Sequence, residues 1–203
     1  MEIQERILNT AFHLFSQFGT RTITMDDIAQ KTGVSKKTLY VHFADKDELV
    51  THAISRYLQV VEKDSQAIQL QAADAIDELF LVMQMLDKQF RNMKPFVLLD
   101  LQRYHSAAYD AFLTYRDSSL QSTIRQNLQR GIREGLFRPD LDVDILTKYR
   151  LSTAMLCFQP DVFAPGLYEM GKVQRILLEH FLYGLVSSEG YERIKKHQLQ
   201  LSQ

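Results

Sequence analysis

Apolar residues return at intervals of three and four along almost the whole of this 203-residue chain, and only four prolines and eight glycines interrupt them. That spacing lines up side chains on one face of a helix, whereas a half-buried strand needs strict alternation, and no stretch alternates over a useful length. The fold class this predicts is all-α. With 45% hydrophobic residues the chain has material for a sizeable core, and its length suits one large domain or two modest ones.

The interruptions divide the chain. Ile7, Ala11, Leu14, Phe15 and Phe18 share one helical face, and Gly19 follows where a left-handed stop is wanted, so the first helix is expected to end near Phe18. Thr24 and Asp27 have capping-box spacing and open a second helix, which Gly33 ends after about two turns. Ser35 is placed to cap a short third helix carrying Leu39 and Phe43 inward, and 45–48 (DKDE) repeats the capping logic at the head of a longer fourth helix reaching toward Val61. Further helices are expected at about 72–90, 95–104, 106–134, 142–158 and 168–187, with a short tail helix after Ser188. Pro95, Gly135, Pro139, Pro160, Pro165 and Gly166 supply the breaks.

The segment 24–43, TMDDIAQKTGVSKKTLYVHF, has a mechanical meaning. Two helices crossing at a tight turn need a small residue at the crossing, a residue tolerant of positive φ in the turn, and an apolar anchor on the second helix. Ala29, Gly33 and Leu39 meet those needs, with Ile28 and Val34 packing around them. Lys36, Lys37, Thr38, Tyr40, Val41 and His42 are then left on the outer side of the third helix, a usable face for the major groove. The expected division is a helix-turn-helix unit at 1–46 and a larger helical domain at 47–203.

Charge supports this locally, not globally. The whole chain has a formal net charge of -1. Residues 1–46 hold six Lys/Arg against five acids, but Lys36, Lys37 and Lys46 cluster at the third helix and the start of the fourth. An ammonium beside the free amides of a first helical turn, as at Lys46, suits a phosphate.

Taken together, Gly19, Thr24, Ile28, Ala29, Gly33, Val34, Ser35, Thr38, Leu39, Tyr40, Phe43, Lys46 and Leu49 occur in an order that resembles the TetR family of bacterial transcriptional regulators, over roughly residues 5–50. The resemblance implies that Thr38, Tyr40 and Lys46 hold phosphates while Lys36, Lys37, Val41 and His42 face or approach base edges. The capping residues Thr24 and Ser35 complete the expected DNA-binding set. The family often has Gly or Pro where this chain has Lys37, which adds a cation for a phosphate or a guanine.

Residues 72–158 are rich in large side chains, among them Phe80, Met83, Met85, Phe90, Phe96, Tyr104, Tyr109, Phe112, Tyr115, Tyr149, Met155 and Phe158. Such a stripe is compatible with a filled core or a cavity wall, since helical spacing does not separate them. The resemblance implies an effector cavity here and a pivoting fourth helix. Phe80, Met83, Phe90, Tyr104, Phe112, Arg116, Tyr149 and Met155 are the expected pocket residues, with Gln84, Arg103 and His105 as further polar groups. A dimer seam is expected on the last two long helices through Leu146, Thr153, Val173, Ile176, Leu177, His180, Phe181 and Gly184, with intrachain core as the alternative.

Other function classes lack their parts. There is no G-x-S-x-G, no phosphate-binding Gly-rich loop, no H-E-x-x-H and no spacing for a metal or cofactor, so no enzyme is expected. Cys157 stands alone and reads as a small buried hydrophobe. The charged opening and the lack of a ~20-residue apolar run predict a cytoplasmic protein with no membrane partner. The expected function is a repressor, released from a palindromic double-stranded operator by a small, mainly apolar or aromatic effector and acting as a homodimer. The alternatives are a ligand-dependent activator and an interaction or DNA-organising module without an effector.

Overall fold

The computed structural model describes residues 2–91 and 93–201, and these form eleven α-helices with no β-strand among them, only isolated bridges such as Phe137 with Val186. Three short helices come first: α1 (Ile3–Phe18), α2 (Met25–Thr32) and α3 (Lys36–His42). Their caps follow from sequence. Thr24 Oγ1 accepts from the Asp27 amide at 3.1 Å while Asp27 Oδ2 accepts from the Thr24 amide at 2.8 Å, and Ser35 Oγ accepts from the Thr38 amide at 3.0 Å. Gly33 lies in the left-handed region at φ 72 and ψ 32, and the Val34 amide closes the turn on Ala29 O at 3.0 Å. Gly19 also has positive φ, but its ψ of 152 turns the chain outward. Phe18 is therefore not the last core residue of α1; it is 53% exposed, because the chain leaves the helix there before the face completes its turn.

The fourth helix, α4 (Lys46–Gln71), runs a full 26 residues, well past Val61. Its first turn is capped by Asp45, which accepts from the Glu48 amide at 2.8 Å, and Glu48 reaches back to the Ala44 amide at 2.6 Å. Leu49, Val50, Ala53, Ile54 and Leu58 of α4 bury against Ile7, Ala11 and Phe15 of α1 and Leu39 of α3, so the N-terminal core is completed by the helix that leaves it. Leu101 and Ala108 join the same cluster from farther along the chain.

The remainder packs around two more clusters. It comprises α5 (Ala75–Phe90), α6 (Val97–Tyr104), α7 (Ser106–Tyr115), α8 (Gln121–Arg133), α9 (Val143–Met155), α10 (Met170–Leu185) and α11 (Ser188–Leu201). The single helix expected over 106–134 is one helical path with a wide π-helical turn at Arg116–Leu120 between α7 and α8. A 3-10 turn, Leu156–Phe158, ends α9. No helix among the described residues is long and apolar enough to cross a membrane.

Candidate DNA interface and effector cavity

The outer side of α3 is built by what its inner side needs. Leu39 is fully buried and Phe43 nearly so, which turns Lys36, Lys37, Tyr40 and Val41 to the surface; Val41 is 74% exposed. An exposed valine on a helix otherwise held by one leucine gains nothing from the fold and suits apolar contact with a thymine methyl. His42 and Thr38 are half-buried, and the Thr38 hydroxyl shares a 2.8 Å hydrogen bond with Ser35. The hydroxyls of Thr24 and Ser35 are thus occupied in capping. Lys36 is also engaged: its Nζ lies 2.7 Å from Asp26 Oδ1 on α2. Sequence reading missed Asp26 as a partner because the contact spans ten residues and a turn.

Lys46 sits half-buried in the first turn of α4, and burial holds its ammonium below the ordinary lysine pKa against the pull of Asp100 and Asp27. Asp100 belongs to α6, and its Oδ2 accepts from the Thr20 amide at 3.1 Å in the loop between α1 and α2. Beside it, the Lys94 amide donates to Ser16 O at 2.9 Å. His105, buried at the α6–α7 elbow, has Nδ1 2.6 Å from Asp47 Oδ1, the residue after Lys46. Contacts from α6 and its flanks therefore reach the N-terminal unit at Thr20 and Ser16 and the first turn of α4 at Asp47.

Between α4, α5, α8 and α10 lies an apolar cavity with about 170 Å³ open to the centre of a water-sized sphere. Its wall takes Phe12 from α1, Ile54, Tyr57 and Leu58 from α4, and Val97 and Leu101 from α6. Phe12 and Tyr57 stack with ring centroids 3.9 Å apart. Of the expected pocket residues, Phe90, Phe112 and Met155 line this cavity and the other five lie elsewhere. Met83 is buried in the second core cluster and Phe80 stacks on His197 at 4.0 Å. Tyr104 is half-exposed with the Arg21 guanidinium over its ring, Arg116 pairs with Asp117, and Tyr149 points out of the domain. Gln84 and Arg103 are exposed.

Polar groups that sequence reading passed over do line the cavity. Glu78 is buried, and burial raises its pKa although Arg130 at 3.1 Å and Asn127 pull the other way. Arg150 and Gln174 are buried in the same wall. Arg150 falls on the inward face of α9 with Thr147 and Ala154, and Cys157 is buried in the turn that follows. Cys157 is buried and its thiol is pushed up to about 12 by burial, which leaves it protonated and unreactive.

The expected dimer residues separate by face. Val173 and Phe181 are buried in the chain's own core, and Phe181 also lines the cavity. Leu177 and Leu146 are half-buried against core clusters, and Thr153 turns its hydroxyl back to Arg150 O at 3.0 Å. Ile176, His180 and Gly184 lie in one exposed line on α10, and a Cβ built at Gly184 meets nothing within 4 Å.

Residues 7–53 match the family described as bacterial regulatory proteins, tetR family. This N-terminal segment is therefore a tetR-family domain. It is similar to the HTH-type transcriptional repressor KstR2 of Mycobacterium tuberculosis, 27% identical over 146 residues that cover 70% of this chain and 73% of the relative. The fold matches a TetR-family regulator from Agrobacterium tumefaciens with a TM-score of 0.72 at 17% identity, covering 91% of this chain and 98% of the other. It also matches a choline-bound structure from Saccharomonospora viridis with a TM-score of 0.70 at 23% identity, covering 91% and 97%. The chain is a DNA-binding transcriptional regulator.

Proposed function

We propose that the chain is a cytoplasmic homodimeric repressor, with no catalytic step, that leaves a palindromic operator when a small, mainly apolar effector enters the cavity between α4, α5, α8 and α10. The observation that carries this reading is the cavity wall: Phe12, Tyr57 and Leu101 belong to helices that also hold the DNA-reading unit. A molecule that spreads this wall moves α4 and α6, and α6 with its flanks holds the N-terminal unit at Thr20 and Ser16 through Asp100 and Lys94, and the first turn of α4 at Asp47 through His105. Packed interfaces of this kind settle into one of two arrangements and do not deform smoothly. A few degrees of rotation at each reading head is then enough to spoil the spacing of two half-sites, roughly 34 Å apart.

Lys36, Lys37, Val41 and His42 are assigned to base edges and Thr38, Tyr40 and Lys46 to phosphates, with Thr24 and Ser35 fixing the helix ends that present them. Residues 1–46 act as the reading unit and 47–203 as the effector and dimer unit. The test is selection from a duplex library at two salt concentrations, repeated with lipophilic compounds present. A selected palindrome, a steep salt slope and release by some compound are expected. Selection of a palindrome that no compound weakens would leave a DNA-organising module; release replaced by recruitment would make it an activator. Lys46→Ala is expected to weaken all duplexes alike and lower the salt slope by about one, whereas Lys36→Ala relaxes sequence preference.

The Lys36–Asp26 pair adds a sharper expectation. DNA must compete with Asp26 for the Lys36 ammonium and must approach the Asp26 carboxylate itself. Asp26→Asn removes both obstacles at an exposed site, so operator binding is expected to tighten by roughly three- to tenfold at low salt and less at high salt. Unchanged affinity in a filter-binding titration would place Lys36 away from the DNA.

A further inference from the structure

Among the described residues Arg150 is the one cation lining the cavity, and none of them gives it a counter-charge. It is 6% exposed and carries a guanidinium nitrogen, Nη1, with no hydrogen-bond partner among the described residues. The groups that act on its charge are Cys157 and Tyr149, neither of them a carboxylate. Burial depresses its pKa to about 10, which still leaves it protonated at pH 7. The acid in the cavity wall, Glu78, is already held by Arg130. Every other guanidinium buried to a comparable degree in a folded chain is expected to be paired, because an unpaired buried charge is strongly unfavourable. A second orphan lies in the same wall: Gln174 Nε2 donates to Ala154 O at 2.5 Å and to Cys157 Sγ at 3.0 Å, which leaves its Oε1 without a donor.

From the unpaired Arg150 guanidinium in a mainly apolar cavity, we infer that the effector is an amphiphile with a single carboxylate, seated on Arg150, and an uncharged apolar body. This rests on the effector-cavity reading above and names its ligand class. A planar carboxylate matches the planar donor fork of a guanidinium. One negative charge neutralises one positive charge; a dianionic phosphate would bury a net charge beside Glu78. A water donating to both the carboxylate and Gln174 Oε1 would satisfy the second orphan. The body of the ligand lies against the apolar side chains of Phe90, Leu86, Val97 and Phe112. A cationic ligand is the wrong sign for this wall.

The test is calorimetric titration of the full chain with decanoate, 1-decanol and decyltrimethylammonium, each below its micellar range, on the wild type and on Arg150→Met and Arg150→Lys. Decanoate is expected to bind the wild type at least tenfold more tightly than decanol, and the ammonium compound is expected not to bind. Arg150→Met should lose at least tenfold for decanoate, keep decanol, and melt no lower than the wild type without ligand, since it replaces an uncompensated charge with apolar volume; Arg150→Lys should keep the preference for decanoate. Equal binding of decanoate and decanol, or undiminished decanoate binding by Arg150→Met, would overturn the head-group assignment and leave the effector cavity standing. If none of the three binds while the operator is still selected, the effector reading fails and this inference fails with it.

Discussion

Ile176→Glu is expected to give a folded monomer that has lost operator binding. Ile176 is 49% exposed on α10, in line with His180 and Gly184, while Ile145 and Tyr149 expose a second apolar edge on α9. Exposed apolar residues of this kind on a regulator proposed to read a palindrome are best covered by a second copy, because a two-fold axis sets each patch against its own image. On that axis one substitution places two carboxylates face to face in a dry seam, where like charges are costly. The monomer itself loses little. The side chain is already half in water, and glutamate is a good helix former, so stability is expected to stay within about 0.5 kcal/mol. Loss of the second half-site removes the avidity of a bivalent reader, which predicts about 10²- to 10⁴-fold weaker binding to the palindrome and little change for a half-site. Sedimentation velocity and a half-site titration check both parts. A variant that remains dimeric would move the seam away from α10.

How much of this was legible beforehand depends on how far apart the cooperating residues are. Thr24 with Asp27, Ser35 with Thr38 and Gly33 act within four residues, so pattern alone located α2, the turn and α3. The exposed side of α3 followed once Leu39 was placed inside. Phe18 misled in one respect: α1 ends there as the Gly19 stop implied, but three-and-four spacing put its ring on the buried face and it is half-exposed. In the C-terminal part the local signals are ambiguous for a physical reason. Met83 and Met85 differ by two positions, yet one fills a core and the other lines the cavity, and only the packing of α5 against α8 and α10 decides which. On α10 the three-and-four spacing runs around more than one face, so Val173 and Phe181 go inward while Ile176 and His180 face out. Arg150 was invisible because an arginine is ordinarily read as surface. Asp26, Asp100 and Asp47 act across the turn or across the chain, and no spacing rule reaches that far.

Gly131→Ala is expected to destabilise the fold by roughly 2–4 kcal/mol, the reverse of what its place in a helix suggests. In an exposed helix the same change stabilises by about 1 kcal/mol. Here a Cβ at residue 131 would overlap three atoms of the Phe137 ring, and that ring is fully buried with no room to retreat. The backbone is pinned as well: the amides of Leu136 and Phe137 both donate to Gly131 O at 3.0 Å. Beyond them, Arg138 donates to Leu185 O and Ser187 to Leu136 O, each at 2.9 Å, so the segment after α8 clamps the end of α10 next to Gly184. Opening the Gly131–Phe137 contact therefore loosens the helix that carries the proposed dimer seam, and operator affinity should fall along with melting temperature. Gly184→Ala is the matched control, since nothing in the chain lies within 4 Å of its Cβ position. It should raise the stability of a monomeric Ile176→Glu background while weakening the dimer of an otherwise wild-type chain. A double-mutant cycle with Phe137→Leu isolates the clash: the smaller side chain should recover at least about 1 kcal/mol of the Gly131→Ala loss. If the two substitutions simply add, the ring is not what forbids a side chain at 131.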